Sequence, residues 1–171
     1  MRRNKIMTIG IFYYSRTGNT KHAATLLEEK LKERGVNAKL VEIQTEKKIG
    51  FFKAEFAAFR QKELPIKNTG FDLKEFDTVL VGGPIWESRP APFIKTFFNR
   101  ATNGKGKKVG LFVTGGGTVG SQTTASDMMR QEAKTQDFIP VEAFLALQMM
   151  KGEIKDGTQI IPHFLEAVLS K

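Results

Sequence analysis

Short blocks of consecutive apolar residues alternate with longer stretches in which apolar residues recur every three or four positions. Ile6 to Tyr14 is the first block and is nearly unbroken, the pattern of a strand covered on both faces. From Asn19 to Arg34 the rhythm becomes helical. Ala24, Leu27 and Leu31 share one face, Glu28 and Lys32 can pair four residues apart, and Gly35 stands where a left-handed C-cap belongs. Ala38 to Ile43 predicts a short second strand. Gly50 to Glu63 spaces Phe52, Phe56 and Phe59 at i, i+4 and i+7, which predicts a helix with an aromatic stripe, ended by Pro65. Asp77 to Val81 is the third strand, and a helix from Pro92 to Ala101 turns Ile94, Phe97 and Phe98 inward. Lys108 to Thr114 is the fourth strand. Ser121 to Gln136 predicts a polar helix with Met128 and Met129 inward, and Val141 to Leu147 is the fifth strand. Pro162 opens a last helix through Leu169 that buries Phe164, Leu165, Val168 and Leu169.

Strands that alternate with helices imply an α/β domain: a doubly wound, five-stranded parallel sheet with helices on both faces and right-handed crossovers. Residues 1–171 are expected to form one such domain. In these sheets ligands sit beyond the carboxyl ends of the strands, where strand order reverses. In the order 2-1-3-4-5, the first, third and fourth strands are neighbours. Their following segments are the glycine- and proline-rich ones, so all three would meet at one edge.

The first of these segments, Ser15-Arg16-Thr17-Gly18-Asn19-Thr20, joins a strand to a helix N-terminus. The first N–H groups of a helix have no intrahelical partner, and its dipole places partial positive charge there. Ser15, Thr17 and Thr20 add hydroxyls, Gly18 lets a ligand approach the backbone, and Arg16 adds a full charge. A phosphate is the expected occupant. The segment has no Gly-Lys-Ser/Thr ending and no G-x-G-x-x-G, which disfavours a nucleoside triphosphate and a dinucleotide.

Together these residues resemble the flavodoxin family. Ile11-Phe12-Tyr13-x-Ser15-x-x-Gly18-x-Thr20-x-x-x-Ala24-x-x-Leu27 is similar to the run by which flavodoxin phosphate loops are identified. Gly83-Pro84-Ile85-Trp86 resembles the second flavin loop and Thr114-Gly115-Gly116-Gly117 the third. The resemblance implies a flavodoxin-like fold and non-covalent FMN. Ser15 to Thr20 would hold its phosphate, Pro84, Ile85, Trp86 and Glu87 would flank the flavin with the Trp86 indole stacked on it, and Thr114 to Gly117 would wall the other side. This chain departs from the family in three ways. Gly115 to Thr124 contains no aromatic ring. Glu87, Ser88 and Arg89 follow the tryptophan where flavodoxins often have glycine. The chain is basic, where flavodoxins are usually acidic.

Composition narrows the chemistry. With no cysteine there is no disulfide, Cys-ligated zinc, iron–sulfur cluster or thiol nucleophile. His22 and His163 fall on separate predicted helices, so a metal pair is not expected. Ser15 lies in no G-x-S-x-G elbow. The basic start Met1-Arg2-Arg3-Asn4-Lys5 leads into an apolar run as a signal peptide does. That run lacks a small-residue cleavage site, however, and no stretch reaches about 18 apolar residues, so a cytoplasmic protein without membrane insertion is expected. The net charge of +9, densest at Lys105, Lys107 and Lys108, has no accompanying nucleic-acid-binding pattern. The expected function is electron transfer on FMN between redox partners, one of them an acidic, ferredoxin-like protein. The alternative on the same fold is an FMN-dependent NAD(P)H:quinone-type oxidoreductase, which the open third loop favours.

Overall fold

The computed structural model describes residues 6–46, 63–117 and 121–170. In chain order they form β1 (Thr8–Tyr13), α1 (Asn19–Glu33), β2 (Asn37–Glu42), β3 (Phe71–Asp72), β4 (Thr78–Trp86) and β5 (Arg89–Pro90). These are followed by α2 (Phe93–Arg100), β6 (Ala101–Thr102), β7 (Lys108–Gly115), α3 (Ser121–Thr135), β8 (Ile139–Met150), β9 (Glu153–Asp156), a short 3-10 turn and α4 (Ile161–Leu169). The main sheet has the order β2-β1-β4-β7-β8-β9. Its first five members are parallel and reproduce the expected order 2-1-3-4-5. No helix among the described residues is long and apolar enough to cross a membrane.

Alternation along each strand sends side chains to two separate cores. Phe12, Val79, Val81, Val109, Leu111 and Val113 face α2 and α3, where Phe93, Ile94, Phe97, Phe98, Ala125 and Met129 meet them. Ile9, Ile11, Tyr13, Leu80, Phe112 and Leu145 face α1 and α4, against Ala24, Leu27, Leu31, Phe164 and Val168. The helices are bounded as their sequence suggests. Gly35, at φ 73°, closes α1 with paired bonds from its own N–H to Lys32 O and from Val36 N–H to Leu31 O. Glu28 and Lys32 pair at 3.0 Å.

Several expectations are corrected. Ile6 is 67% exposed, and the first strand starts at Thr8, the first residue in register with β2. Met128 is half-buried: Ala125, Met129 and Ala133 form the inward line of α3. Leu169 is also only partly covered. The fifth strand runs well past Leu147, because β9 folds back on it antiparallel. β3 and β6 form a separate two-stranded sheet that the sequence pattern does not announce. The helix expected over Gly50 to Glu63, with Phe52, Phe56 and Phe59, lies outside the described residues except at its last position.

Two of the three lysines in the densest group are structural. Lys107 donates to the Phe76 carbonyl at 2.7 Å, and Lys108 donates to the carbonyls of Ala167 and Ser170, capping the end of α4. These residues stand at the start of β7. The flavin-type loops follow its far end, roughly 25 Å away at the usual rise per strand residue.

Candidate functional site

The sheet register brings the three segments together. Tyr13 is level with Gly82, and Pro84 is level with Thr114. The Tyr14 N–H donates to the Gly82 carbonyl at 3.1 Å. Ser15–Thr20, Pro84–Glu87 and Thr114–Gly117 therefore share one edge, as expected from the strand order.

In the first loop, Gly18 takes φ 93° and forms the N-cap position of α1. The space around its missing Cβ is open, as it is at Gly116. The Ser15 hydroxyl oxygen accepts from the N–H groups of Gly18 and Lys21, each at 3.2 Å, which ties the loop into a ring over the helix start. Arg16, Thr17 and Gly18 are exposed, and Ser15 and Asn19 are half-buried. Thr20 differs from its neighbours. It is 1% exposed, and its hydroxyl bonds the equally buried Thr114 hydroxyl at 2.7 Å. Its side chain thus locks the first loop to the third, while its backbone N–H belongs to the open helix end.

This bond has a measurable consequence. Thr114→Val leaves the Thr20 hydroxyl buried without its partner and should cost about 1–3 kcal/mol. Adding Thr20→Val removes the orphan and should restore much of the loss. Urea unfolding of the two single variants and the double variant checks this; additive losses would mean that the two hydroxyls do not depend on each other.

The second segment is not the turn that Gly82-Gly83-Pro84 suggests. β4 continues through all three residues to Trp86. Gly82 is needed because the Phe112 ring occupies the place of its side chain, and Gly83 because Ile94 does. Pro84, which cannot donate to a ladder, sits where β4 leaves the sheet. Its carbonyl accepts instead from Ala91 at 3.0 Å. The true turn is Glu87-Ser88, closed by the pairs Trp86–Arg89 and Ile85–Pro90. Both turn residues have positive φ, 47° and 66°, the signature of a primed two-residue hairpin built here without glycine.

Trp86 is half-buried and held on several sides. Tyr14 stands edge-on to it at 5.8 Å between centroids, and Phe93 does so at 6.4 Å. The Arg16 guanidinium lies 6.0 Å from the centre of its ring. Burial pushes the Tyr14 hydroxyl above its ordinary pKa, with Arg16 opposing, so it stays protonated at neutral pH. Ile85 lies beside Gly115 at van der Waals distance from its missing side chain. In the third segment, the Gly116 carbonyl accepts from Gln148 Nε2 at 3.1 Å. This contact comes from the unanticipated extension of β8 and braces the loop.

A cleft of about 590 Å³ opens beside the first loop. Tyr14, Arg16, Glu42, Ile43, Gln44 and Lys67 line it, with Ser15 and Thr45. Its far wall is stapled. Thr45 pairs antiparallel with Ile66, Lys67 N–H donates to Gln44 O at 2.7 Å, and Asn68 Oδ1 accepts from Gln44 N–H at 2.8 Å. Only the apolar neighbours Ile43 and Tyr14 are legible as core from sequence; the cleft itself has no sequence signal, because it depends on how residues 43–45 and 66–68 pair.

Residues 7–150 match the family model of the NADPH-dependent FMN reductases. Among curated proteins none is significantly similar in sequence. Among solved structures, an assigned flavoprotein from Bacteroides uniformis superposes with a TM-score of 0.70 at 21% identity, covering 95% of this chain and 99% of the other. A flavoprotein in complex with FMN from Lactobacillus acidophilus gives 0.64 at 21%, covering 83% and 92%. Oxidised flavodoxin 2 from Bacillus cereus gives 0.64 at 18%, covering 94% and 97%. At these identities the likeness is one of fold, and the fold is flavodoxin-like.

Proposed function

Because this chain belongs to the NADPH-dependent FMN reductase family, we propose that it binds FMN at the three joined loops and passes electrons from NADPH through it. The observation that carries this reading is the common edge: an open helix N-terminus, a held tryptophan ring and a glycine wall, locked by the Thr20–Thr114 bond. The residues present fit the cofactor. No carboxylate stands in Ser15–Thr20 to repel a phosphate, and the space at Gly18 is open. Arg16, Thr17, Asn19 and the loop N–H groups would hold the phosphate. Trp86 would take one flavin face, between Ile85 and Glu87. Thr114 to Gly117 would border the other.

Bound FMN supplies a ring that accepts a hydride or single electrons. The side chains orient it. Tyr14 and Phe93 hold the indole, so the stacking plane exists before the ligand arrives and little ordering cost remains at binding. The third loop carries no aromatic ring from Gly115 to Gly117, so these described residues supply no ring to cover that face, as approach of a hydride donor requires.

A carrier reading stands beside this one. The superposition takes in 94% of this chain and 97% of a flavodoxin, so no large insertion stands within it to build a nicotinamide pocket. In that case the net charge of +9 supports an acidic redox partner, and association should slow as salt rises. Anaerobic mixing of the FMN-loaded protein with NADPH separates the readings. Rapid stoichiometric bleaching of the flavin is expected; a flavin that stays oxidised until a separate reductase is added would reject the reductase reading. Trp86→Ala should shift the bound-flavin spectrum and weaken FMN binding by about tenfold. Unchanged spectrum and affinity would misplace the ring.

A further inference from the structure

We propose that the β8–β9 hairpin is a strap that holds the first and third loops in register for FMN, with Gln148 and His22 as the positioning residues at its two ends. The inference rests on the reading that these loops take FMN. The hairpin is short and firmly rooted. Met150 pairs with Glu153, and Lys151 and Gly152, at φ 51° and 82°, close it as a primed two-residue turn. Met149 is 5% exposed and Ile154 packs against the same core, the one that faces α1 and α4. At its base Asp156 Oδ1 accepts from Gly157 N–H at 2.7 Å and from Gln159 Nε2 at 3.0 Å.

Each end of the strap reaches one loop. Gln148 is level with Gly115 in the sheet, and its Nε2 donates to the Gly116 carbonyl at 3.1 Å. The same amide lies where a side chain on Gly117 would stand, with Nε2 2.6 Å from that Cβ position. The third loop is thus wrapped over Gln148. At the other end the Gly152 carbonyl lies 3.1 Å from His22 Nδ1, across 130 residues of chain. A carbonyl can only accept, so His22 carries a proton on Nδ1. His22 is also the residue whose own N–H closes the first turn of α1 on the Gly18 carbonyl, at 2.9 Å. With the Thr20–Thr114 bond these contacts form a closed circuit: first loop to third loop, third loop to hairpin, hairpin back to the helix start. Each loop is then held from two directions, and breaking one link loosens both. Gln148, His22 and Gly152 stand outside the residues proposed to touch FMN, so their effect passes through the loops.

Gln148→Met keeps the length of the side chain and loses its donor; His22→Phe keeps a ring and loses its donor. Gln148 is half-buried and His22 exposed, so thermal unfolding of both variants should stay close to the parent. Amide hydrogen exchange reads the strap in the purified protein without any ligand. Gln148→Met should speed exchange at Gly18, Lys21 and His22, none of which it touches, by about three- to tenfold, and His22→Phe should do the same at Thr114 and Gly115. In FMN titrations followed by Trp86 emission, each single variant should weaken binding by about three- to tenfold. The double variant should lose clearly less than the product of the two factors, because either change already opens the circuit. His22→Asn, which keeps a donor on a short side chain, should recover much of both effects. Remote amides that exchange at the parent rate, or affinity losses that multiply in the double variant, would overturn the strap. If the parent binds no FMN while the remote amides still respond, the cofactor reading falls and the hairpin remains the support of this edge. If FMN binds and the remote amides do not respond, the strap alone falls.

Discussion

Phe112→Ala is expected to lower stability by about 3–5 kcal/mol. The ring is completely buried among the side chains that face α1 and α4. It also fills the space that a side chain on Gly82 would take, with Phe112 Cδ2 only 2.5 Å from where that Cβ would stand. Gly82→Ala should therefore cost about 1–3 kcal/mol by overpacking. The two changes should not add. Once Phe112 is alanine, a methyl group at Gly82 enters the vacated space, and its cost should largely vanish or change sign. Guanidinium unfolding of the four proteins in this cycle measures the coupling. An alanine at Gly82 that costs the same in both backgrounds would show that backbone conformation, and not the ring, demands the glycine.

Gly157→Ala should cost about 2–5 kcal/mol, while Gly18→Ala should cost about 1–2 kcal/mol, although both glycines take nearly the same backbone angle. Gly157 has φ 98° and Gly18 has φ 93°. A left-handed conformation penalises any side chain, and that part is shared. Only at Gly157 is the space also taken: an added Cβ would overlap the Ala146 carbonyl oxygen and lie 3.1 Å from Leu147 Cδ2. A carbonyl inside the ladder of β8 cannot yield as a flexible side-chain end can. At Gly18 the space is open, so the strain stays local to the loop. Thermal unfolding should rank the two variants in that order. Gly18→Ala should be the one that weakens FMN binding, because it disturbs the entry to α1. Equal melting temperatures would mean that the β9–α4 corner relaxes freely.

The parallel order and most helix faces were legible because burial on both sides of a strand, and on one side of a helix, leaves a periodic trace in the residues concerned. Ile9, Ile11, Leu27, Leu31, Phe97 and Val168 all lie where that trace puts them. The phosphate-type loop was legible for a related reason: its glycine and hydroxyls mark an abrupt end to an apolar run. The rest depends on partners remote in sequence. Gly82 and Gly83 read as a turn, yet they are strand residues whose small size is set by Phe112 and Ile94. Thr20 reads as a loop hydroxyl, yet its partner is a threonine 94 residues away. Lys107 and Lys108 read as a charged patch, yet both serve as donors to backbone carbonyls. β9 is short and mostly exposed, so it carries no apolar pattern of its own.

The setting of Trp86 gives this protein a built-in optical reporter. It is the chain's only tryptophan, and the only two tyrosines, Tyr13 and Tyr14, precede the first loop directly. Intrinsic emission excited at the indole therefore originates at the functional edge and nowhere else. Arrival of an aromatic ligand on that ring should quench it directly, giving a titration signal without any label. In unfolding experiments the same signal follows the β4–β5 hairpin and the end of the core it packs against through Tyr14 and Phe93. Comparing it with backbone circular dichroism would reveal whether the edge opens before the sheet does.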